Sequence, residues 1–392
     1  MSKYKREDKD LYLNPLATTS KKGRLKPEAP DDFRSEFQRD IHRILYSQSF
    51  RRLRHKTQVF YFPRNDHVST RLDHVLFVAS ASRTVARCLN LNEDLAEAIG
   101  LAHDIGHAPF GHQGEEILQK IINDDKYPAL KKVLPTFHHE LYGLRVVDKI
   151  AKRDRQQPGL NLTWEVRDGI VSHCGEDKKT CKLCPETKEG VILEKITSRS
   201  EAGMPSTLEG CIVRLVDKVA YAGKDIEDAL ATGVIKKKCV PPEIISKLGK
   251  TNGQIVGKFL KNIIIESHGR DFIGMSRGYG LLLEMMLDFN YKYIYKSPES
   301  GGYRGQAEHT ITLLYKDLLE ECKGTKRFTK NKANKNTPNV HAVLRQYVTE
   351  DMKDVYGLDD PDELIVLDFI AGMTDNYAVR CFQERFVPQA SV

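Results

Sequence analysis

A short stretch of the chain, GLAHDIGHAPFGHQGEE at residues 100–116, concentrates titratable side chains around a turn. It carries three histidines, one aspartate and two glutamates, and glycines and a proline interrupt the run. Burying unpaired polar groups costs several kcal/mol each, so a packed core would not accept them. The stretch is therefore either an exposed loop or the floor of a functional site.

The pair His103 and Asp104 is the first candidate for metal chemistry, together with His74 upstream. Imidazole nitrogen and carboxylate oxygen suit a divalent cation of intermediate hardness and leave coordination positions open for water. These three residues taken alone fit an ordinary polar surface equally well. The interpretation therefore depends on what the rest of the chain offers.

A second group of functional side chains follows one face of a predicted helix, LVDKVAYAGKDIED at residues 215–228. At about 100° per residue, Asp217, Tyr221 and Asp225 fall within about 80° of arc, and Lys218 borders that face. Two carboxylates, a phenol and an amine along one stripe are unusual for a helix that is otherwise apolar. The alternative is the solvent-facing stripe of an amphipathic helix.

Five phrases in a fixed order resemble the HD superfamily of metal-dependent phosphohydrolases, and within it the deoxynucleoside triphosphate triphosphohydrolases, the dGTPase or dNTPase family. The resemblance covers residues 35–230 well and weakens toward the C-terminus. The phrases are FRRLRHKTQVF (50–60), TRLDHVLFV (70–78), AHDIGHAPFGHQGEE (102–116), HHELYGLRVV (138–147) and TLEGCIVRLVDKVAYAGKDIEDAL (207–230).

The superfamily signature, H…HD…D, matches four residues that the resemblance makes the metal ligands: His74, His103, Asp104 and Asp217. Magnesium or manganese is the expected cation, and iron, cobalt, nickel and zinc also suit such ligands. The sequence leaves the choice of metal open.

The resemblance also assigns the other histidines of the opening stretch. His112 is implied as the catalytic acid–base group, with Glu115, three residues on and on the same helical face, behind its imidazole. His107 and His139 are expected beside the substrate phosphates. His138 competes with His139 for that role, and the sequence does not decide between them.

Six further residues match nucleotide-binding positions of the family: Arg71, Lys218, Tyr221, Asp225, Gln58 and Arg54. The guanidinium of Arg71 suits phosphate oxygens, and the lysine is expected on the triphosphate. Tyr221 and Asp225 are implied beside the sugar, where the tyrosine would exclude a 2′-hydroxyl and the carboxylate would bind the 3′-hydroxyl. The remaining glutamine and arginine are expected near the same sugar.

The reaction implied is hydrolysis of a dNTP, with dGTP as the family's namesake substrate, to a deoxynucleoside and inorganic triphosphate. A metal-activated water would attack the α-phosphorus, and the enzyme would help to control the dNTP pool. Two alternatives remain: another HD phosphohydrolase, such as a nucleotidase or phosphodiesterase, and a catalytically idle module that binds nucleotide or nucleic acid. Family members form tetramers or hexamers, and some are activated by a second dNTP or by single-stranded DNA; the sequence leaves these choices open.

Helices are the elements predicted to position these residues. Apolar residues recur at helical spacing over residues 72–90, and Asn92 is the predicted start of a second helix that ends in the opening stretch. Ser206 and Glu209 have the spacing of a capping box, which predicts a long helix toward Ala229. Alternating strand patterns are scarce. The predicted fold class is all-α, an HD-domain helical core with an additional helical C-terminal region.

Three parts are predicted along the chain: an N-terminal arm at 1–30, the HD core at 31–235, and a helical region at 236–392 packed on the core as one continuous domain. The basic segment 323–339 is predicted to be a mobile loop. The final stretch 362–386, DELIVLDFIAGMTDNYAVRCFQERF, is predicted to form a last helical layer.

Composition narrows the class of protein further. The net charge of +7 over 392 residues favours anionic partners such as nucleotides. Neither a signal sequence nor an apolar run of membrane-spanning length is recognisable, which predicts a cytoplasmic protein without a membrane partner.

The eight cysteines are too sparse for a disulfide scaffold, which predicts free thiols. Cys181 and Cys184, with His173 and Cys174 just upstream, could instead hold a structural zinc ion. The sequence favours free thiols over that zinc site.

Overall fold

The computed structural model describes residues 14–20, 22–58, 69–153, 157–175, 181–323, 337–357 and 359–388. The all-α expectation is confirmed, because helices build nearly all of the regular structure in these segments. In chain order they are α1 (Glu36–Tyr46), α2 (Gln48–Arg52), α3 (Arg71–Cys88), α4 (Glu93–Ala102), α5 (Gly111–Ile122), α6 (Pro128–Val133), α7 (His139–Arg145), α8 (Trp164–Ser172), α9 (Arg199–Ala202), α10 (Leu208–Ala231), α11 (Pro242–Leu248), α12 (Asn252–Ser267), α13 (Arg277–Asn290), α14 (Pro298–Lys323), α15 (Asn339–Gln346), α16 (Asp362–Ala371) and α17 (Asp375–Phe386).

Shorter elements connect these helices. Two strands of two residues, β1 (Lys182–Leu183) and β2 (Ile273–Gly274), pair antiparallel, with Lys182 opposite Gly274. The single turns are 3₁₀-helical at Leu53–His55, Leu193–Lys195 and Lys237–Cys239, and π-helical at Val146–Ile150, Tyr291–Tyr295 and Tyr347–Asp351. In the described segments, no helix has both the length and the apolar character needed to cross a bilayer.

Helix starts in the core follow side-chain capping. At α4 the Asn92 side chain accepts a hydrogen bond from Leu95 N, which confirms the predicted helix start. At α3, Thr70 and Asp73 form a capping box that was not predicted from the sequence. The predicted cap of the long helix α10 is wrong by one residue, because Thr207 rather than Ser206 caps it by accepting from Gly210 N at 3.0 Å.

The hydrogen bonds of Ser206 and Glu209 explain the displaced cap. Ser206 N donates to Asp168 Oδ2 at 2.8 Å, so that residue belongs to the preceding loop. The carboxylate of Glu209 accepts from Thr18 N and Asn92 N, at 3.0 and 2.9 Å. The glutamate thus ties the N-terminal segment to the start of α4 instead of closing a capping box.

Close packing of α4 on α3 brings the chemically active residues together. A Cβ atom built on Gly100 would lie 2.7 Å from Ala79 Cα, so only glycine allows the two backbones to approach this closely. Fully buried apolar side chains pack where α3, α4 and α10 meet: Val75, Val78, Leu95, Ile99, Val213 and Val216. Each buried side chain of this size contributes about 1.5–3 kcal/mol.

The last two helices contact the turn between α4 and α5, directly or through Lys56, and stabilise it. The predicted final helical layer is confirmed as α16 and α17. Phe110 adopts a left-handed backbone conformation, with φ of +63°, and its N–H donates to Asp375 Oδ1 at 2.9 Å. Asp375 Oδ2 also accepts from Thr57 N and Thr57 Oγ1, at 3.0 and 2.7 Å. One buried carboxylate therefore joins the start of α17 to two loops of the core.

Lys56 makes a second connection between the same parts. Its buried Nζ donates to the carbonyl oxygens of His107 and of Ala371, the latter at 3.0 Å. The predicted domain boundaries at 30 and 235 stay predictions. Most of the segment predicted as a mobile loop, residues 324–336, lies outside the described residues.

We predict that Asp375→Ala lowers the free energy of unfolding by about 2–3 kcal/mol, since the donors at the half-buried Thr57 and the buried Phe110 lose their acceptor. Urea unfolding followed by circular dichroism measures the change. Asp375→Asn keeps one acceptor oxygen and should lose less. The exposed Asp271→Ala should stay within about 0.5 kcal/mol of the parent. Equal midpoints for Asp375→Ala and Asp271→Ala would contradict the assignment.

Candidate active site

The four residues of the H…HD…D signature converge from three helices. His74 lies in α3, His103 and Asp104 follow directly on α4, and Asp217 lies in α10. His74 Nε2 is 2.8 Å from Asp217 Oδ1, and His103 Nε2 is 3.7 Å from a carboxylate oxygen of each aspartate. The structure thus brings together the four residues that the sequence named as metal ligands.

The state of His103 tests whether this cluster fits a metal ion. Its Nδ1 donates to the carbonyl oxygen of Gly100 at 2.7 Å, which leaves a lone pair on Nε2. Burial lowers the pKa of His103 to about 4, although Asp104 and Asp217 oppose the shift. The Nε2 atom is buried and has no hydrogen-bond partner among the described residues. A neutral imidazole with an unused buried lone pair beside carboxylates fits a divalent cation.

Both aspartates are held in the ionised form that metal ligands require. Burial opposes ionisation of Asp104, but His107 and Arg71 outweigh it and hold the pKa of this carboxyl well below its usual range. Arg71 Nη1 donates to Asp104 Oδ2 at 2.6 Å, and His107 Nε2 lies 3.1 Å from Asp104 Oδ1. Burial also opposes ionisation of Asp217, and the hydrogen bond from His74 lowers its pKa overall.

Glu115, in α5, is the centre of a second group of histidines. Its Oε2 lies 3.0 Å from His139 Nδ1 and 3.5 Å from His112 Nδ1, and its Oε1 lies 3.5 Å from His138 Nδ1. Burial opposes its ionisation, but the charge of His139 and the hydrogen bonds from the imidazoles keep the pKa of Glu115 well below its usual range. The His112 side chain is 71% exposed, so its imidazole is open to solvent although the neighbouring Glu115 carboxylate is buried.

His138 and His139, which the sequence could not rank, occupy different environments. His139 is buried and stacks on His107 with ring centroids 3.7 Å apart, and its Nε2 lies 3.9 Å from Asp104 Oδ1. The His138 side chain is 32% exposed. Of the two, His139 lies against the signature cluster.

The expected nucleotide ligands divide into two sets. Tyr221 and Asp225 continue the face of α10 that carries Asp217, and Lys218 Nζ donates to the carbonyl oxygen of Gly175 at 3.0 Å. Burial raises the pKa of Asp225 to about 7, despite a hydrogen bond that the Tyr295 hydroxyl donates to its Oδ2. The contact with Tyr295 was not predicted from the sequence.

Gln58 and Arg54 are placed differently. Gln58 Oε1 is buried and has no hydrogen-bond partner among the described residues. Arg54 is exposed and lines an open surface cavity of about 420 Å³ together with three other basic residues, Arg51, Arg52 and His55. Within the described segments, no hydrogen bond joins Arg54 to the four residues of the H…HD…D signature.

His173 and Cys174, which the less favoured zinc alternative places with Cys181 and Cys184, group with His139 instead. Both face His139: its Nε2 lies 3.3 Å from His173 Nε2 and 3.3 Å from Cys174 Sγ. Burial disfavours the thiolate, but His173 and His139 outweigh it and lower the pKa of Cys174 to about 7. In the part of the chain that the structure describes, no group of three close metal-ligating side chains includes Cys181 or Cys184.

Comparisons with known proteins agree with this geometry. The HD domain family matches residues 71–222, and the phosphohydrolase-associated domain matches residues 273–384. A deoxyguanosinetriphosphate triphosphohydrolase-like protein of Caldanaerobacter subterraneus subsp. tengcongensis is 35% identical over 96% of this chain and 93% of its own length. A protein of the same description from Desulfatibacillum aliphaticivorans is 34% identical over 98% of both chains. The chain therefore belongs to the HD phosphohydrolases, in the family of deoxyguanosinetriphosphate triphosphohydrolase-like proteins.

Proposed function

We propose that the protein hydrolyses dNTPs to a deoxynucleoside and inorganic triphosphate in the presence of a divalent cation. The observation that carries the proposal is the adjacency of two groups. One is a buried cluster with an unused imidazole lone pair at His103, and the other is the exposed His112, whose Nδ1 lies 3.5 Å from the buried Glu115 carboxylate. His107 lies next to both, with its Nε2 3.1 Å from Asp104 Oδ1 and its ring centroid 5.2 Å from that of His112. The relatives' description makes dGTP the first nucleotide to test.

His74, His103, Asp104 and Asp217 would hold the cation. When bound, such a cation activates water and neutralises charge on phosphoryl oxygens. Arg71 orients the Asp104 carboxylate through its 2.6 Å hydrogen bond, and its buried Nε has no partner among the described residues. That unused donor supports a contact between Arg71 and a substrate phosphate.

Proton transfer is the role proposed for His112. The Glu115 carboxylate, 3.5 Å from Nδ1, would orient the ring and leave Nε2 available to give a proton to the 5′-oxygen that leaves. Because the Glu115 carboxylate is buried, it cannot exchange a proton with solvent directly, so the proton-transfer role is given to His112. His107 and His139, stacked beside Asp104, would border the phosphates.

The sugar would lie along α10, beyond Asp217. Asp225 Oδ1 is buried and has no hydrogen-bond partner among the described residues, so it offers an acceptor to a 3′-hydroxyl. Tyr221, one helical turn before it, would crowd a 2′-hydroxyl and so favour deoxynucleotides. A role in dNTP pool control, assembly into tetramers or hexamers, and activation by a second dNTP or single-stranded DNA remain predictions from the family resemblance. A cytoplasmic location remains a prediction from the sequence composition.

The first prediction concerns the products. Purified protein incubated with each dNTP and Mg²⁺ or Mn²⁺ should release deoxynucleoside and triphosphate in equal amounts, as measured by ion-exchange chromatography. Chelation of the cation should abolish turnover, because the cluster alone cannot activate water. A dNMP with pyrophosphate would indicate another HD phosphohydrolase. Nucleotide binding without any product would indicate an idle regulatory module.

The second prediction concerns the cation. His103→Ala and Asp217→Ala should each weaken Mn²⁺ binding by more than about 100-fold, beyond the 10–100-fold effect of residues that merely support ligands. Isothermal titration calorimetry measures the affinity, and circular dichroism checks the fold. His268→Ala, at an exposed imidazole, is the matched control and should bind Mn²⁺ like the parent. Parent-like affinity in either site variant would refute the ligand assignment.

The third prediction concerns proton transfer. His112→Ala should keep Mn²⁺ and dNTP binding while kcat falls by about 10²–10⁴-fold, the usual contribution of a positioned proton-transfer group. Glu115→Gln should cause a smaller loss, because it removes the support and keeps the imidazole. Glu116→Gln, at the exposed neighbour that pairs with Arg304, should leave kcat unchanged. If His112→Ala alters stability but not kcat, the residue is structural.

A further inference from the structure

Three side chains next to the signature cluster bring two nitrogens and one sulfur to a single point. His139 begins α7, His173 follows α8, and Cys174 comes directly after it. The distances between their inward atoms are 3.3 Å for the two Nε2 atoms, and 3.3 and 3.2 Å from Cys174 Sγ to His139 Nε2 and His173 Nε2. Both imidazoles are buried.

The outer nitrogen of each ring is already committed to an oxygen acceptor. His173 Nδ1 donates to the carbonyl oxygen of Ile170 at 2.7 Å, and His139 Nδ1 lies 3.0 Å from Glu115 Oε2. A cation bound between the rings would take the place of any proton at Nε2 and leave one proton on each Nδ1, so that both Nε2 lone pairs point toward the cation and the sulfur. Metal-ligating histidines use this arrangement, in which a carbonyl or carboxylate fixes the ring from behind.

The separations also suit a cation. Zinc bonds of about 2.0–2.1 Å to nitrogen and 2.3 Å to sulfur, at tetrahedral angles, put ligand atoms roughly 3.3–3.6 Å apart. The three distances here, from 3.2 to 3.3 Å, fall within a few tenths of an ångström of that range. Two facing lone pairs without a proton or cation between them would repel each other.

We propose that His139, His173 and Cys174 form a second cation site, selective for a thiophilic divalent ion of the zinc type. It shares no ligand with His74, His103, Asp104 and Asp217, and sulfur distinguishes it from a site for magnesium or manganese. Three protein ligands leave a fourth position for water or a phosphate oxygen. Asp104 Oδ1, 3.9 Å from His139 Nε2, makes the two sites neighbours.

The alternative to a metal site is a hydrogen-bonded group in which the Cys174 thiol lies between the two imidazoles and no metal binds. Sulfur chemistry separates the two possibilities independently of dNTP hydrolysis. A thiolate bound to Co²⁺ gives a near-ultraviolet charge-transfer absorption, which an all-nitrogen-and-oxygen site such as the signature cluster cannot give. Metal-free protein titrated with Co²⁺ therefore reports on Cys174 directly.

The expected result is a charge-transfer band that saturates with Co²⁺ in the parent and in Asp217→Ala, which disrupts only the signature cluster. Cys174→Ser should lose the band and weaken Zn²⁺ binding by at least about 100-fold, whereas Cys181→Ser, a matched half-buried cysteine nearby, should keep it. Absence of the band in the parent, its survival in Cys174→Ser, or its loss in Cys181→Ser would each overturn the site.

A second measurement uses only the parent protein, in case Cys174→Ser does not fold. Zn²⁺ should slow alkylation of Cys174 by iodoacetamide at least tenfold, but not that of Cys181, as read from peptide masses. Equal alkylation of Cys174 with and without Zn²⁺ would overturn the proposal. Failure to release triphosphate in the dNTP assay would leave both results untouched, so the two proposals fail separately.

Discussion

The close approach of α4 to α3 at Gly100 is the constraint on which the site depends. A side chain at this position would meet the backbone of Ala79 and force the helices apart. His103 and Asp104 directly follow α4, and His74 lies in α3, so the close approach at Gly100 brings these residues near one another. The carbonyl oxygen of Gly100 also accepts the His103 Nδ1 proton, so the same residue fixes the tautomer of the ligand.

Buried charge in this region is stabilised by pairing, and the exceptions mark where ligands would bind. The Asp104 carboxylate pairs with Arg71 and His107, and the Glu115 carboxylate lies beside several imidazoles. Unpartnered buried atoms among the described site residues include His103 Nε2, His107 Nδ1 and Asp225 Oδ1. Leaving such atoms unsatisfied costs about 1–3 kcal/mol each, a cost that a bound cation or nucleotide would remove.

Much of the core could be predicted from the sequence because it depends on local patterns. The helical periodicity of apolar residues predicted α3, and Asn92 predicted the start of α4, since each pattern lies within a single helix and its cap. The cap of α10 was misplaced because the Glu209 carboxylate serves Thr18 and Asn92, contacts that no local pattern shows. The four signature residues meet as the family resemblance implied, whereas the individual catalytic and nucleotide-binding roles stay predictions.

Cysteine partners show the limit of sequence proximity. Cys174 is close in sequence to Cys181, yet its sulfur contacts His139, which is 35 residues away. Only the packing of α7 beside α8 could reveal that pair.

The hydrogen bond from Phe110 to Asp375 spans 265 residues, which has a consequence for the order in which the protein matures. A ribosome makes α3, α4 and α10 well before Asp375 leaves the exit tunnel. Until then the Phe110 N–H lacks the acceptor that stabilises its left-handed backbone conformation. The position of His112, two residues further on, is therefore not yet fixed. A nascent chain can therefore bring His74, His103, Asp104 and Asp217 together early, but the turn that precedes His112 gains its acceptor only when α17 docks.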